Sequence, residues 1–288
     1  MPLIDLHTHS TASDGSDSPT QLVAAARAAG LAAIALTDHD TTAGLEEAET
    51  AGKEAGITVI RGCELSTMVE NDTLRMHILG LWLPRNTGDL QARLQELRAK
   101  RDARNDRIVA LLRDCGLDIG MEDVRRQARG ESVGRPHIAA SLLAKGYVKT
   151  LAEAFGRYLG RQGKAYVPKE VMKAEEAVHM LAGMGATVCL AHPMLDKPPP
   201  DKLEALVAHL IPQGLSAVEI WHSEHSAEDT RAALELAHRF KLGLSGGSDY
   251  HGRNKPGIRP GVGRGNLRVG MDVLENLVRL RRERGLPV

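Results

Sequence analysis

The sequence predicts an α/β protein: seven strands wrapped by helices, interrupted by an inserted helical subdomain. Three observations predict it. Short β-rich apolar runs alternate with helix-patterned stretches, as in a parallel sheet with crossover helices. Residues 85 to 165 break that alternation, being helical and charged throughout. Six of the seven predicted strands are followed by His, Asp or Glu at the carboxyl end, where (β/α) barrels keep their active sites.

The first strand is LIDL (3–6), and it leaves into His7 and His9. Two residues apart in extended chain share one face, so these imidazoles are placed to bind one divalent ion or two adjacent ones. PTQLVAAARAAG (19–30) reads as a helix and AAIALT (32–37) as the second strand, which ends at Asp38 and His39. Asp38 or Asp40 is expected to orient that imidazole, and Asp40 more simply to cap the helix read over 43–56. ITVIRG (57–62) is the third strand and delivers Glu64, while Cys63 should point the other way, into the core. LRMHILG (74–80) is the exception among the strands, because His77 lies within it.

In the insertion, LQARLQELRAKRDARNDRIVALLRDCG is the longest helix-like stretch. Between residues 85 and 135 it carries 12 Arg or Lys against 9 Asp or Glu, a net +3, which suits solvated, salt-bridged helices better than a nucleic-acid surface. The rhythm then resumes with a helix over 174–185 and the strand ATVCLA (186–191), followed by His192. KPPP (197–200) reads as a rigid surface loop. SAVEIW (216–221) precedes His222, and after a helix over 227–240 the strand LGLSGG (242–247) precedes Asp249 and His251. MDVLENLVRLRRERG closes the chain as an amphipathic packing helix. The expected division is a barrel of residues 1–84 and 166–288 with an insertion of residues 85–165.

Composition narrows the function classes. With 288 residues, 42% hydrophobic and 26% charged, the chain can bury a large core, and disorder is not expected. Lys plus Arg and Asp plus Glu both number 37, so no net charge draws it to nucleic acid or a membrane. Cys63, Cys115 and Cys189 are far apart and odd in number, which suits reduced thiols in a cytoplasm. There is no leader pattern and no apolar run near the roughly 18 residues that span a bilayer, so a soluble, cytoplasmic protein is expected. Twelve His against two Phe and two Trp is a usage that points to chemistry.

HTH (7–9) with SDG (13–15), TDHD (37–40), GCE (62–64), His77, AHP (191–193) and SDYHG (248–252) together resemble the polymerase and histidinol phosphatase (PHP) family of metal-dependent phosphoesterases. The resemblance covers residues 5 to 252 and implies a distorted seven-stranded (β/α)7 barrel. It also implies two or three divalent metal ions, manganese first, with zinc or iron as alternatives. Carried over by position, one ion would take His7, His9, Glu64 and Asp249. A second would share Glu64 and add His77 and His192, and a third would use Asp14, His39 and His251. Independently, a carboxylate has two oxygens with which to bridge ions, and Glu64 is the sole Glu among the candidates. The mixed nitrogen and oxygen set suits zinc, manganese and iron alike. Two cations about 3.5–4 Å apart would bring a water's pKa near 7 and clamp a phosphate for in-line attack. Asp249 and His222 are the catalytic candidates; either the third ion or His222 would assist the departing oxygen.

For substrate recognition, SVGRPHIA (132–139) sets Arg135 and His137 at a helix start, where a guanidinium and a helix N-terminus both favour anions. Lys164, in RQGKAYVPKE, is a further phosphate contact, with Lys169 and Lys173 behind it. The inserted helices with GRPH and AYVPK look like the bacterial PHP subgroup that removes the 3′-phosphate of nucleoside 3′,5′-bisphosphates to leave the 5′-nucleotide. That makes the expected enzyme a phosphoric monoester hydrolase. Related members trim short 5′-phosphorylated RNA from the 5′ end, so a 5′-3′ exoribonuclease is the neighbouring reading, and a histidinol-phosphate phosphatase is a third. A PHP-like metal-binding accessory module is the alternative outside enzymes, and a basic RNA-binding protein would instead show salt-sensitive affinity without hydrolysis. The expected partners are a small nucleotide or short RNA, with no membrane and no obligate protein partner.

Overall fold

The computed structural model describes residues 2–69, 74–127 and 133–288, and all seven predicted strands are present in it. In chain order the barrel elements before the insertion are β1 (Leu3–Thr8), α1 (Pro19–Ala28), β2 (Leu31–Leu36), α2 (Leu45–Ala55), β3 (Thr58–Val69) and β4 (Leu74–Leu81). The insertion holds α3 (Gly88–Asp114), α4 (Met121–Gln127), α5 (Arg135–Ala144) and α6 (Leu151–Ala154), the last running into a π-helical turn, Phe155–Leu159. After it come β5 (Met172–Lys173), α7 (Ala174–Gly183), β6 (Thr187–Ala191), α8 (Pro200–Leu210), β7 (Leu215–His222), α9 (Ala227–Phe240), β8 (Gly243–Gly247) and α10 (Met271–Glu283).

The strands form one sheet in the order β1-β2-β3-β4-β6-β7-β8, with the two-residue β5 beside β3. Five of its pairs are parallel: β1–β2, β2–β3, β6–β7, β7–β8 and the short β3–β5. The expectation of a wholly parallel sheet fails at β4, which is antiparallel to both β3 and β6. The reason is length. Four residues separate Val69 from Leu74, and a parallel pair needs a crossover of roughly a dozen or more. The same pairing carries β3 on to Val69, so Glu64 lies within a strand, opposite Leu79, instead of just beyond one.

The two ends of the sheet meet. Asp249 N–H donates to the His7 carbonyl at 2.8 Å, His9 N–H donates to the Tyr250 carbonyl at 2.9 Å, and Thr8 bridges Tyr250. Underneath, Ile4, Leu6, Ala33, Leu79, Leu81 and Val269 pack with Val273, Leu274 and Leu277 of α10, the packing helix that the sequence predicts. The helices begin where their caps dictate. Ser18 and Ser226 each accept the third helical N–H, and the Gln21 and Asp229 side chains accept the cap N–H in return. Asp40 is not a helix cap: α2 starts after Gly44, and Asp40 Oδ1 accepts from Ser66 N–H at 2.9 Å.

The described chain divides into two compact units, Met1–Gln91 with Met172–Val288, and Ala92–Val171. The second has its own core, including Ile108, Leu112, Ile119, Ile138, Leu142 and Leu159. Its surface carries ion pairs such as Arg93–Glu96 at 2.7 Å and Lys100–Glu96 at 3.0 Å, spaced along one helix face. Cys63 and Cys189 are buried and free, and Cys115 is free and exposed. Among the described residues no helix is long and apolar enough to cross a membrane.

Candidate metal centre and active site

Five imidazoles surround one buried carboxylate. Glu64 Oε2 lies 3.2 Å from His7 Nε2, 3.2 Å from His9 Nε2 and 3.1 Å from His39 Nδ1. Its Oε1 lies 2.8 Å from His77 Nδ1 and 2.9 Å from His192 Nε2. Asp249 adds a second carboxylate, with Oδ1 3.7 Å from His7 Nε2, 3.3 Å from His9 Nε2 and 3.4 Å from His251 Nδ1. Asp14 adds a third, more open one, 3.1 Å from His251 Nε2 and 4.0 Å from His9 Nδ1.

Backbone geometry explains why so few elements bring so many ligands together. The alternation of β1 sends His7 inward, and His9 follows on the same side as the chain leaves the strand. Antiparallel β3 and β4 place Glu64 and His77 on one surface, His77 being paired across from Ser66. His192 and Asp249 leave their strands with positive φ, 27° and 55°, a conformation that costs a non-glycine residue about 1–3 kcal/mol unless its surroundings hold it. Here the hydrogen bonds of Asp249 N–H to His7 and of His192 N–H to Glu219 Oε2, each 2.8 Å, do the holding.

The donor set fits divalent ions. His7 Nε2, His9 Nδ1 and Nε2, His39 Nδ1 and Glu64 Oε2 are buried without a hydrogen-bond partner among the described residues. Each such group costs about 1–3 kcal/mol when left dry. They fall into groups whose ligand atoms lie within 4.8 Å of one another: His7, His9, Glu64 and Asp249; His9, Asp14, His39 and His251; and His39, Glu64 and His77. The first group is the first ion's expected set. His39 and His9 each belong to two groups, and His192 joins through Glu64 Oε1.

The electrostatics are those of carboxylates short of positive charge. Burial alone would suppress protonation of His7 and His9. Even so, Glu219, Glu64 and Asp249 raise His7 well above its ordinary pKa, and Asp249 and Glu64 raise His9 to about 9. Burial would raise the Glu64 carboxyl, but His39, His7 and His77 hold it well below the usual range. His39 goes the other way, drawn down to about 4, chiefly by burial.

His222 is buried with its Nε2 3.3 Å from Asp249 Oδ2, and its Nδ1 accepts from Glu224 N–H at 3.1 Å. With Nδ1 accepting, the neutral ring carries its proton on Nε2, directed toward Asp249. Among the described residues Asp38 makes no hydrogen bond to His39. It accepts from Ser10 N–H at 2.8 Å, Ser10 Oγ at 2.7 Å and Ser13 Oγ at 2.6 Å, fixing the loop that follows HTH.

The expected substrate contacts lie in the second compact unit. Arg135 donates to the Leu159 carbonyl at 3.3 Å, and its guanidinium sits 5.9 Å from the Tyr166 ring centre. His137 caps its own helix, its Nδ1 accepting from Gly134 N–H at 3.1 Å, which requires a neutral ring. Lys164 is exposed, and Ser132 lies outside the described residues.

Sequence reasoning missed two residues. Glu219, fully buried in β7, accepts from His7 Nδ1 at 3.0 and 3.2 Å while also accepting from His192 N–H. It thereby fixes the tautomer that leaves His7 Nε2 free as a donor to metal. A lone glutamate inside the apolar run SAVEIW was the available signal. Lys255 places its Nζ 2.5 Å from Asp249 Oδ2, and nothing in the local sequence singles it out. Glu219→Gln is expected to weaken metal binding by about 10- to 100-fold, with activity restored at higher metal concentration. A metal titration of activity, compared with wild type, checks this; an unchanged titration midpoint would exclude the orienting role.

Comparisons with known proteins bear on the family. The PHP domain family model matches residues 5–186. A 5′-3′ exoribonuclease of Haemophilus influenzae is 36% identical over 247 residues, 86% of this chain and 89% of its own length. A 3′,5′-nucleoside bisphosphate phosphatase of Chromobacterium violaceum is 33% identical over 258 residues, 89% of this chain and 90% of its own. A solved structure from Bifidobacterium adolescentis, described as a metal-dependent phosphoesterase, is similar with a TM-score of 0.76 at 32% identity, covering 96% of each chain. With the family match spanning more than half of the sequence and relatives aligned along most of its length, the chain belongs to the PHP domain family.

Proposed function

We propose that this protein is a metal-dependent phosphatase that hydrolyses the 3′-phosphate of nucleoside 3′,5′-bisphosphates, giving the nucleoside 5′-phosphate and inorganic phosphate. The observation that carries the reading is the Glu64 carboxylate, with five imidazoles around it and a buried Oε2 that no hydrogen bond among the described residues satisfies. The 33% identical phosphatase of C. violaceum supports the substrate class. Residues His7, His9, Glu64 and Asp249 would hold one ion, Glu64 with His77 and His192 a second, and Asp14, His39 and His251 a third. Manganese is the first choice, with zinc or iron as alternatives, and the cytoplasm is the expected compartment. Bound there, such ions supply Lewis acidity that brings the pKa of water near 7 and neutralises phosphate charge.

The chain's own groups do the rest. Water adds to phosphorus in line with the 3′ oxygen, the P–O bond to the ribose breaks, and the departing oxygen needs a proton. His222 Nε2–H, buried beside Asp249, is placed to hydrogen-bond that oxygen as charge develops on it, and the proton that the attacking water gives up is the one that neutralises the departing alkoxide. Lys255 places a cation at the same carboxylate, where it would balance the phosphate as charge shifts to the leaving oxygen. Buried Asp38 and Glu219 orient without reacting, by fixing the HTH loop and the His7 ring.

The 36% identical exoribonuclease of H. influenzae favours a second reading, hydrolysis of short 5′-phosphorylated RNA from its 5′ end, at the same site. A manganese-supplemented assay with adenosine 3′,5′-bisphosphate, AMP, a 5′-phosphorylated oligoribonucleotide and histidinol phosphate separates the possibilities. The bisphosphate is expected to turn over far faster than AMP; comparable rates for the two would overturn the proposal, and a dominant rate on the oligonucleotide would select the second reading.

A further inference from the structure

α10 buries one face, including Val273, Leu274 and Leu277, in the core beneath the sheet. Beside that face runs a second, open stripe. Met271, Leu274 and Val278, with Val288 beyond the helix, form the apolar part of a groove of about 470 Å³. Glu275, Arg279, Arg282 and Glu283 form its charged part. The wall at Val288 is held by Arg281, itself 2% exposed, whose Nε donates to the Pro287 carbonyl at 2.8 Å. Nη1 of the same side chain donates to the Gly185 carbonyl and Thr187 Oγ1, each at 3.0 Å, and its guanidinium sits 4.9 Å from the Trp82 ring centre. The groove is thus built by packed groups, while Val288 remains 57% exposed.

The four charges differ in their partners. Arg279 and Glu283 pair with each other at 2.7 Å along the helix. Glu275 and Arg282, both exposed, enter no ion pair or side-chain hydrogen bond among the described residues. Seven residues make close to two full turns, so these two side chains project in nearly the same direction from points about 10.5 Å apart. Residues that pair along a helix surface are three or four apart, so neither answers the other within one chain.

Opposite charges at this spacing complement a copy of themselves. A second α10 running antiparallel, related by a two-fold axis between Val278 and Arg279, brings each Glu275 to the partner's Arg282, because the two positions lie equally far from the axis on either side. Both pairs form at once, and the two Val278 side chains meet at the centre. A parallel pair would set Glu275 beside Glu275 and Arg282 beside Arg282, which like-charge repulsion disfavours. We infer that this face of α10 is a docking surface for a second copy of the chain, forming an isologous antiparallel helix pair. At 13 residues α10 is about 20 Å long, so the contact is smaller than that of an obligate dimer. The dimer is therefore reversible, with a Kd on the order of 10–100 µM. α10 starts at the amino-terminal end of β1, where Met271 N–H donates to the Pro2 carbonyl at 3.1 Å, whereas His7 and His9 lie toward the other end of that strand.

Sedimentation velocity on the full-length protein between about 1 and 500 µM is expected to show the average mass rising from monomer toward dimer. Glu275→Arg sets Arg against Arg on both sides of the axis, and Arg282→Glu sets Glu against Glu. Each variant alone is expected to raise Kd by at least about tenfold. Mixed in equal amounts, the two are expected to form a heterodimer of near wild-type affinity, because every Arg again faces a Glu. A role for either side chain within its own chain predicts no such recovery. Thermal unfolding at the lowest concentration checks that both variants fold. Should either fail to, Val278→Gln at the centre is expected to raise Kd by a similar factor, and an unchanged Kd there overturns the inference. Wild type that stays monomeric at the highest concentration also overturns it and leaves the groove to an occupant of another kind. A wild-type dimer that neither charge reversal weakens, or a mixture that does not recover, places the contact on a different face and is equally decisive against it.

Discussion

Glu64→Gln is expected to abolish phosphatase activity, lowering kcat/KM by at least about 10³-fold, equivalent to about 4 kcal/mol of transition-state stabilisation. The substitution conserves volume, so the argument is electrostatic. Glu64 Oε2 faces three imidazole nitrogens at 3.1–3.2 Å and Oε1 faces two more at 2.8 and 2.9 Å. An amide replaces one acceptor oxygen with an N–H₂ whose two donors would point at the place where a cation needs a lone pair. The charge that holds the surrounding cations together disappears at the same time. The fold should survive, since β3 is held to β4 by their backbone pairing, and the Glu64 carboxylate adds only side-chain bonds to His77 and His192, which an amide oxygen can still accept. In chelator, the variant should therefore unfold near the wild-type temperature. Added manganese is expected to stabilise wild type by mass action, about 2.7 kcal/mol at a hundredfold excess over Kd, and this increment should be absent from the variant. Metal content by elemental analysis and thermal unfolding with and without chelator decide the matter. Full metal content with near-native turnover would remove Glu64 from the centre of the site. Glu64→Asp, which keeps the charge but withdraws it by one methylene, should fall between the two.

The sequence makes the candidate metal centre legible because ligand chemistry is local. HxH at a strand end, a lone Glu after GC and an SDYH run each mark a position where a buried polar side chain needs a partner, and all nine expected ligands meet around Glu64, Asp249 or Asp14 in the structure. What stayed hidden depends on long-range pairing. The antiparallel course of β4 follows from the short link between Val69 and Leu74, which hydrophobic pattern alone does not weigh. Glu219 acquires its meaning from His7, 212 residues away, and Lys255 from the carboxylate of Asp249.

The closure of the sheet depends on a position with no side chain. A Cβ built on Gly247, at the end of β8, would stand 2.3 Å from His7 Cβ, 2.4 Å from His7 N and 2.8 Å from His7 Cα. Two of those three atoms are backbone, so no rotamer change relieves the clash; β1 and β8 must separate where they join. Overpacking typically costs about 1–3 kcal/mol, and more when backbone has to move, so Gly247→Ala is expected to destabilise by about 3 kcal/mol or more. For a domain of about 150–250 residues that is a fall in Tm of about 6–12 °C. The same displacement reaches the chemistry. Asp249 N–H donates to the His7 carbonyl two residues beyond Gly247, and Asp249 keeps its left-handed φ of 55° by that bond. Pushing His7 away should therefore split the His7, His9, Glu64 and Asp249 group and cost metal affinity together with stability. Gly183→Ala is the matched control, since nothing lies within 4 Å of the added carbon in α7, and a helical Gly→Ala change is neutral to stabilising by about 0.5–1 kcal/mol. Thermal unfolding and manganese calorimetry on both variants test the point. If Gly247→Ala retains wild-type stability and metal affinity, the contact between β8 and the His7 backbone does not set the geometry of the metal centre.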